Sequence, residues 1–202
     1  MAKGFDCTWD TEHYTGAIKA TGYSFVCRYT SHSAWKNITK EEALALSKAG
    51  IYIVNVWETA GDHPSFFTYQ QGLIDGAGAI AYAEHLGQPH NSPIYFAVDD
   101  DLPYHGGVQA YFKGVNDKFK QHGILGQTIY SMGVYGSGHI CQSAFDDHMV
   151  TFTWLAQSMG WEGSKEYTDW NIKQSLGAVF HSLQIDPDTS AVKGGGGFLV
   201  KA

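Results

Sequence analysis

Short runs rich in β-branched and aromatic residues alternate with stretches of helical period along most of the chain, and this alternation constrains the fold more than any other feature. Such an order belongs to α/β folds with a parallel sheet, where each strand is followed by a helix that packs back on it. Gly4 to Trp9 reads as a first strand and Ser24 to Thr30 as a second. Thr39 then opens a helix in a capping-box pattern, with Glu42 three residues on, and Gly50 closes it. Ile51 to Glu58 is apolar almost throughout, as a strand covered on both faces should be. A helix from about Tyr69 to Leu86 follows, stopped by Gly87 and Pro89. Pro93 to Val98 is a fourth strand, running into Asp99, Asp100 and Asp101. Val108, Tyr111, Phe112, Val115 and Phe119 carry a clear 3.6-residue period in a helix that ends near Gly123. Thr128 to Gly136, Phe152 to Gln157 and Val179 to Ile185 read as later strands, and Gly194 to Gly197 as a flexible turn. The pattern predicts an α/β fold, a modified or incomplete (β/α)8 TIM-like barrel, with residues 1–202 as one domain.

Composition removes several function classes. A formal net charge of -7 leaves no basic footprint for phosphate backbones, so nucleic acid is not an expected partner. No stretch approaches the roughly 20 apolar residues of a membrane span, and the first residues lack the apolar run of a signal peptide. Export by a route that leaves no mark, residence in the cytoplasm and excision from a longer protein all stay open. The three cysteines, Cys7, Cys27 and Cys141, form no CxxC pair and read as reduced, buried thiols. Gly76 to Ala81 spells G-x-G-x-x-A inside a helical pattern, without the preceding strand that a dinucleotide fingerprint needs. No P-loop or G-x-S-x-G motif occurs, and no cofactor is expected.

In parallel barrels functional groups gather at the carboxyl ends of strands. Asp6 lies in the first strand, Glu58 ends the third, and Asp99 and Asp101 end the fourth, so these four are the candidate catalytic residues. Asp99 and Asp101 point the same way, roughly 6 to 7 Å apart, for as long as the strand persists. Converging carboxylates raise the pKa of at least one of them, giving a protonated acid beside an ionised partner. Glycoside hydrolysis needs that division of labour. Trp9, Tyr135 and Trp154 would stand around the rim as stacking faces for sugar rings. Gln157 and Gln184 add polar edges, whereas Trp57 should point to the opposite side and pack in the core. Arg28 completes the candidate substrate-binding set. As a cation in an apolar strand it needs an anion, and one of the site carboxylates is the expected partner.

The opening GFDC, the KATGYSFVCRYT segment, the TKEEA helix start before AGIYIVNVWE, the strand YFAVDDD, the GVYGSG turn and WLAQS together resemble the DUF1906 family, the Rv2525c-like glycoside-hydrolase-like domain related to the family 25 lysozymes. The resemblance extends to about Gln184. It implies a modified (β/α) barrel with an acidic groove at the strand ends. Family 25 lysozymes carry an Asp in the first strand and an Asp-x-Glu at the end of the fourth, the Glu acting as general acid. Asp6 matches the first and Asp99 the Asp of the pair. Asp101 stands where the Glu would be, one methylene shorter, and Glu58 could supply the longer acid.

Three readings follow. The first is a glycosidase acting on an amino-sugar glycan such as peptidoglycan, with Glu58 or Asp101 as acid and Asp99 or Asp6 as base or electrostatic partner. The second is a non-catalytic carbohydrate-binding domain on a degenerate hydrolase barrel. The third is a metal-dependent hydrolase using Asp99 to Asp101 with His105, although no HxH or HExxH spacing is present. The sequence leaves the oligomeric state undefined.

Overall fold

In the computed structural model, which describes residues 1–123, 128–192 and 194–201, the strands form one sheet that closes on itself. Seven of them, β1 (Ala2–Cys7), β2 (Phe25–Thr30), β3 (Tyr52–Trp57), β4 (Pro93–Ala97), β5 (Ser131–Gly136), β6 (Phe152–Leu155) and β7 (Ile172–Gln174), run parallel in chain order. A short β8 (Ala178–Phe180) turns back into β9 (Leu183–Ser190), which lies antiparallel between β7 and β1 and closes an eight-stranded barrel. The helices α1 (Thr15–Ala20), α2 (Lys40–Lys48), α3 (Tyr69–Leu86), α4 (Gln109–His122) and α5 (Gly138–Asp146) follow the first five strands. After β6 and β7 no helix of this kind intervenes among the described residues, which is where the strand–helix period of the sequence fades.

Alternation along the strands divides the side chains between two cores. Phe25, Cys27, Val54, Val56, Tyr95, Ala97, Trp154 and Ile172 fill the barrel interior. Trp57, Ile94, Phe96, Val98 and Val134 point outward under α3, α4 and α5, and Phe5, Val26 and Ile53 under α1 and α2. Caps fix where three of these helices begin: Thr39 accepts from the Glu42 amide at 3.1 Å, Thr68 from the Gln71 amide at 3.1 Å and Ser137 from the Ile140 amide at 3.2 Å. The α3 and α4 backbones meet so closely that a Cβ on Gly72 would stand 2.1 Å from the Tyr111 carbonyl oxygen. The glycines of the Gly76–Ala81 segment lie within α3, and Gly78 faces the Trp57 ring.

The single late strand expected over Val179–Ile185 is a hairpin instead. His181 (φ 45) and Ser182 (φ 72) take left-handed conformations between β8 and β9, as a two-residue hairpin turn demands. Strand β9 then continues through Asp186, Pro187 and Asp188, a tripeptide that reads as a turn. Pairing with β1 overrides that local preference, placing Asp186 opposite Asp6.

Candidate active site

The parallel strands deliver their last inward-facing residues to one end of the barrel, where Tyr29, Val56, Glu58, Asp99, Tyr135, Trp154, Gln157, Gln174 and Asp186 line a cleft. Asp6 is buried beneath it. Its Oδ1 accepts from the Tyr29 hydroxyl and its Oδ2 from Gln174 Nε2, each at 2.7 Å. Gln174 Oε1 accepts in turn from the Tyr135 hydroxyl at 2.9 Å and the Gln157 amide at 3.3 Å. Tyr135 shares the cleft lining with Asp99. A polar relay therefore ties Asp6 to the cleft mouth through Gln174 and Tyr135.

The carboxyls differ in their surroundings. Burial pushes Asp6 up to about 7 against the pull of its two donors, with Asp186 and Glu58 adding repulsion. Asp99, at the mouth, is pushed up to about 6 by partial desolvation and by the neighbouring Glu58 carboxylate, while Tyr135 and Lys36 act in the opposite direction. Glu58 Oε1 is held at 2.5 Å by the ammonium of Lys36. Deeper in the barrel Asp188 is fully enclosed. Trp154 Nε1 donates to its Oδ1 at 2.9 Å, and its Oδ2 has no hydrogen-bond partner among the described residues. Burial first, then Asp6, raise it well above the ordinary carboxyl value.

A carboxyl held protonated in the fold but free to ionise at about 3.8 when unfolded favours the native state most at low pH. That contribution drains as pH rises toward the folded value, at about 1.4 kcal/mol per pH unit for one group. Asp188→Asn removes one such buried acid. Its melting temperature should therefore fall less between pH 5 and pH 8 than that of the wild type; parallel curves would contradict the buried-acid assignment.

Of the residues singled out from the sequence, Glu58, Asp99, Tyr135, Trp154 and Gln157 line the cleft and Asp6 lies under it. Four do not join them. The chain leaves the sheet after Ala97, the Asp99 amide bonds the Gly61 carbonyl, and Asp101 is carried outward, where its carboxylate accepts from the Glu162 amide at 2.8 Å. Trp9 lies beyond the end of β1 and is 54% exposed, outside the cleft lining. Gln184 is exposed on β9 next to the hairpin turn. Arg28 faces outward from β2 and pairs with Glu42, Nε to Oε1 at 2.7 Å and Nη2 to Oε2 at 3.0 Å, instead of with a site carboxylate. Its other donor, Nη1, reaches the Cys7 carbonyl at 2.6 Å. Lys36, Tyr29, Gln174, Asp186 and Asp188 were not singled out from the sequence. The shared parity of Tyr29 with Cys27 points to Tyr29 only once the inward face of β2 is known.

Among the described residues no group of three or more His, Cys, Asp or Glu side chains is placed to hold a metal ion. The same residues contain no helix long and apolar enough to cross a membrane.

The model of the Rv2525c-like, glycoside hydrolase-like domain matches residues 16–194. The chain belongs to that family. The match takes in the segments from β2 to β9, which supply the cleft lining. Among curated relatives, FadG of Bacillus subtilis (strain 168) is 27% identical over 204 residues, covering 92% of this chain and 35% of FadG. YbfG of the same organism is also 27% identical, over 85% of this chain and 26% of YbfG. The chain thus spans about a third or less of the curated relatives it matches.

Solved structures share the fold at low identity. The Tat-secreted protein Rv2525c of Mycobacterium tuberculosis, in complex with HEPES, superposes with a TM-score of 0.78 at 20% identity, over 97% of this chain and 98% of that one. The modular autolysin LytC of Streptococcus pneumoniae, in complex with a synthetic peptidoglycan ligand, gives 0.61 at 14% identity, over 93% of this chain and 46% of LytC. A muramidase from Trichobolus zukalii gives 0.60 at 12% identity, over 96% of each chain. This member of the family therefore has the TIM-barrel-like fold of glycoside hydrolases.

Proposed function

We propose that residues 1–202 act as one glycosidase-type domain that hydrolyses an amino-sugar glycan such as peptidoglycan, with Asp99 as proton donor and Glu58 as the ionised partner. The observation that carries this reading is the unequal pair at the cleft mouth. Asp99 is raised to about 6, so about half of it is protonated at pH 6 and about a tenth at pH 7. Glu58 is tied to a cation. This is the acid-and-anion division that cleavage of a glycosidic bond requires. Asp99 protonates the leaving oxygen, and Glu58 activates water or stabilises positive charge at the sugar carbon. These roles reverse the assignment of Glu58 suggested by its longer side chain.

Asp6, with both oxygens already engaged, orients Tyr29 and Gln174 without touching the sugar. The register at the end of β4 supports Asp99 as the acid. The two inward positions there are Ala97 and Asp99, so an Asp-x-Glu pair with both members facing the barrel would fall on them, leaving Asp101 outside. The similarity to a muramidase and to a peptidoglycan-bound autolysin supports the substrate class.

Incubation with purified peptidoglycan and with chitooligosaccharides, followed by mass analysis, tests the proposal. New reducing ends from either support it. Saturable binding without new ends would favour a carbohydrate-binding domain on the same barrel.

A further inference from the structure

Lys36 occupies an unusual place for a loop lysine. It ends a single helical turn (Ala34–Lys36) on the connection after β2. There a lysine would ordinarily extend into water, because burying an ammonium costs several kcal/mol unless it is paired. Its neighbour Trp35 is 71% exposed, yet Lys36 itself is buried. The ammonium contacts Glu58 Oε1 at 2.5 Å and stands 4.9 Å from the centre of the Tyr29 ring, whose hydroxyl holds Asp6. The Glu58 carboxylate and the Tyr29 ring face thus compensate the desolvation of the ammonium together.

Hydrogen bonds tie down the connection where it carries this residue. Ser31 Oγ donates to Asn37 Oδ1 at 3.0 Å, Asn37 Nδ2 returns a bond to the Ser31 carbonyl at 2.9 Å, and the Arg28 guanidinium reaches the Lys36 carbonyl at 3.4 Å. A residue held at both backbone and ammonium can fix the charge it contacts without reorganising during a reaction.

We propose that Lys36 is a positioning residue, holding the Glu58 carboxylate at the cleft mouth and setting the electrostatic balance between Glu58 and Asp99. The inference rests on the glycosidase reading above. It adds a residue to the site that acts through Glu58 and not on the sugar. The charged and titratable groups facing Asp99 are Glu58, Asp62, Lys36 and Tyr135; those facing Glu58 include Lys36, Asp6 and Asp99. Lys36 is the cation in both sets. Its removal therefore leaves Asp99 facing an unneutralised carboxylate and raises the pH at which it ionises.

The test compares the wild-type chain with Lys36→Met, which keeps the length and removes the charge, and with Lys36→Arg, which keeps the charge. Carbon-13 carboxyl NMR follows the Asp99 titration in each, and glycan cleavage gives kcat, KM and the pH profile. In Lys36→Met the Asp99 midpoint should move up, the alkaline limb of activity should move with it, and kcat should fall about 10²-fold with KM nearly unchanged. In Lys36→Arg the midpoint should stay near the wild-type value. A merely structural lysine would change melting temperature and leave the midpoint alone, and an unmoved midpoint in folded Lys36→Met overturns the assignment. If the wild type cleaves no glycan, the glycosidase reading falls, and the NMR midpoint alone then decides for or against the place given to Lys36.

Discussion

Asp99→Asn should lower the rate of glycan cleavage by about 10² to 10⁴-fold, the contribution of a positioned general acid, with little change in binding. The amide preserves the shape of the side chain and its place beside Tyr135 but cannot supply a proton to the leaving oxygen. The pH profile carries an independent signature. Asp99 is raised to about 6, and an acid catalyst works only while protonated, so wild-type kcat/KM should decline as pH rises through about 6. That limb should be missing from whatever residual activity Asp99→Asn retains. Asp101→Asn, altered at an exposed carboxylate that accepts from the Glu162 amide, should cleave at close to the wild-type rate. If instead Asp101→Asn abolishes cleavage and Asp99→Asn does not, the acid has been assigned to the wrong residue.

The contrast between Asp99 and Asp101 shows what could be read from sequence. Strand periodicity places side chains correctly for as long as backbone pairing lasts. Thus Asp6, Tyr135 and Trp154, all within paired strands, lie at or under the cleft, and Glu58 and Asp99 lie just past the strand ends at its mouth. Periodicity does not reveal where pairing stops. Hydrogen bonding of the Asp99 amide to Gly61, a residue 38 positions earlier, turns the chain away before Asp101. The same limit applies to Trp9, since β1 ends at Cys7.

Parity in β2 was equally visible, but not which parity faces in. The inward set is Phe25, Cys27 and Tyr29, leaving Arg28 outside. The contributions of Asp186 and Asp188 were hidden by Pro187, because local turn preference is outweighed by the closure of the barrel through β9. Lys36 was hidden for a simpler reason. Nothing in a loop lysine announces a contact with a carboxylate 22 residues away.

A buried arginine needs an anion, and Arg28 finds it in Glu42. The sequence shows Glu42 only as the closing residue of a capping box, three positions after Thr39. In the fold Thr39 does cap its amide, while the Glu42 carboxylate turns away and collects four donors. Oε1 accepts from Arg28 Nε at 2.7 Å, the Thr11 hydroxyl at 2.8 Å and the Thr11 amide at 2.9 Å, and Oε2 from Arg28 Nη2 at 3.0 Å. Arg28 and Glu42 are 1% and 0% exposed. The pair thereby joins β2 and α2 to the connection after β1 through Thr11, and to the end of β1 through the Cys7 carbonyl.

Removing one partner of such a pair strands a charge in a medium that cannot solvate it, so Glu42→Gln should destabilise the chain by about 3–5 kcal/mol. Replacing both residues, as in Arg28→Met with Glu42→Leu, removes the uncompensated charge and should cost less than Glu42→Gln alone. It will not be free, because the Thr11 amide and the Cys7 carbonyl lose their partners. Urea unfolding midpoints and slopes for the wild type, each single variant and the double variant measure the coupling directly. A Glu42→Gln cost below about 1 kcal/mol would mean that water reaches Arg28, and the pair would then be no more than a surface salt bridge.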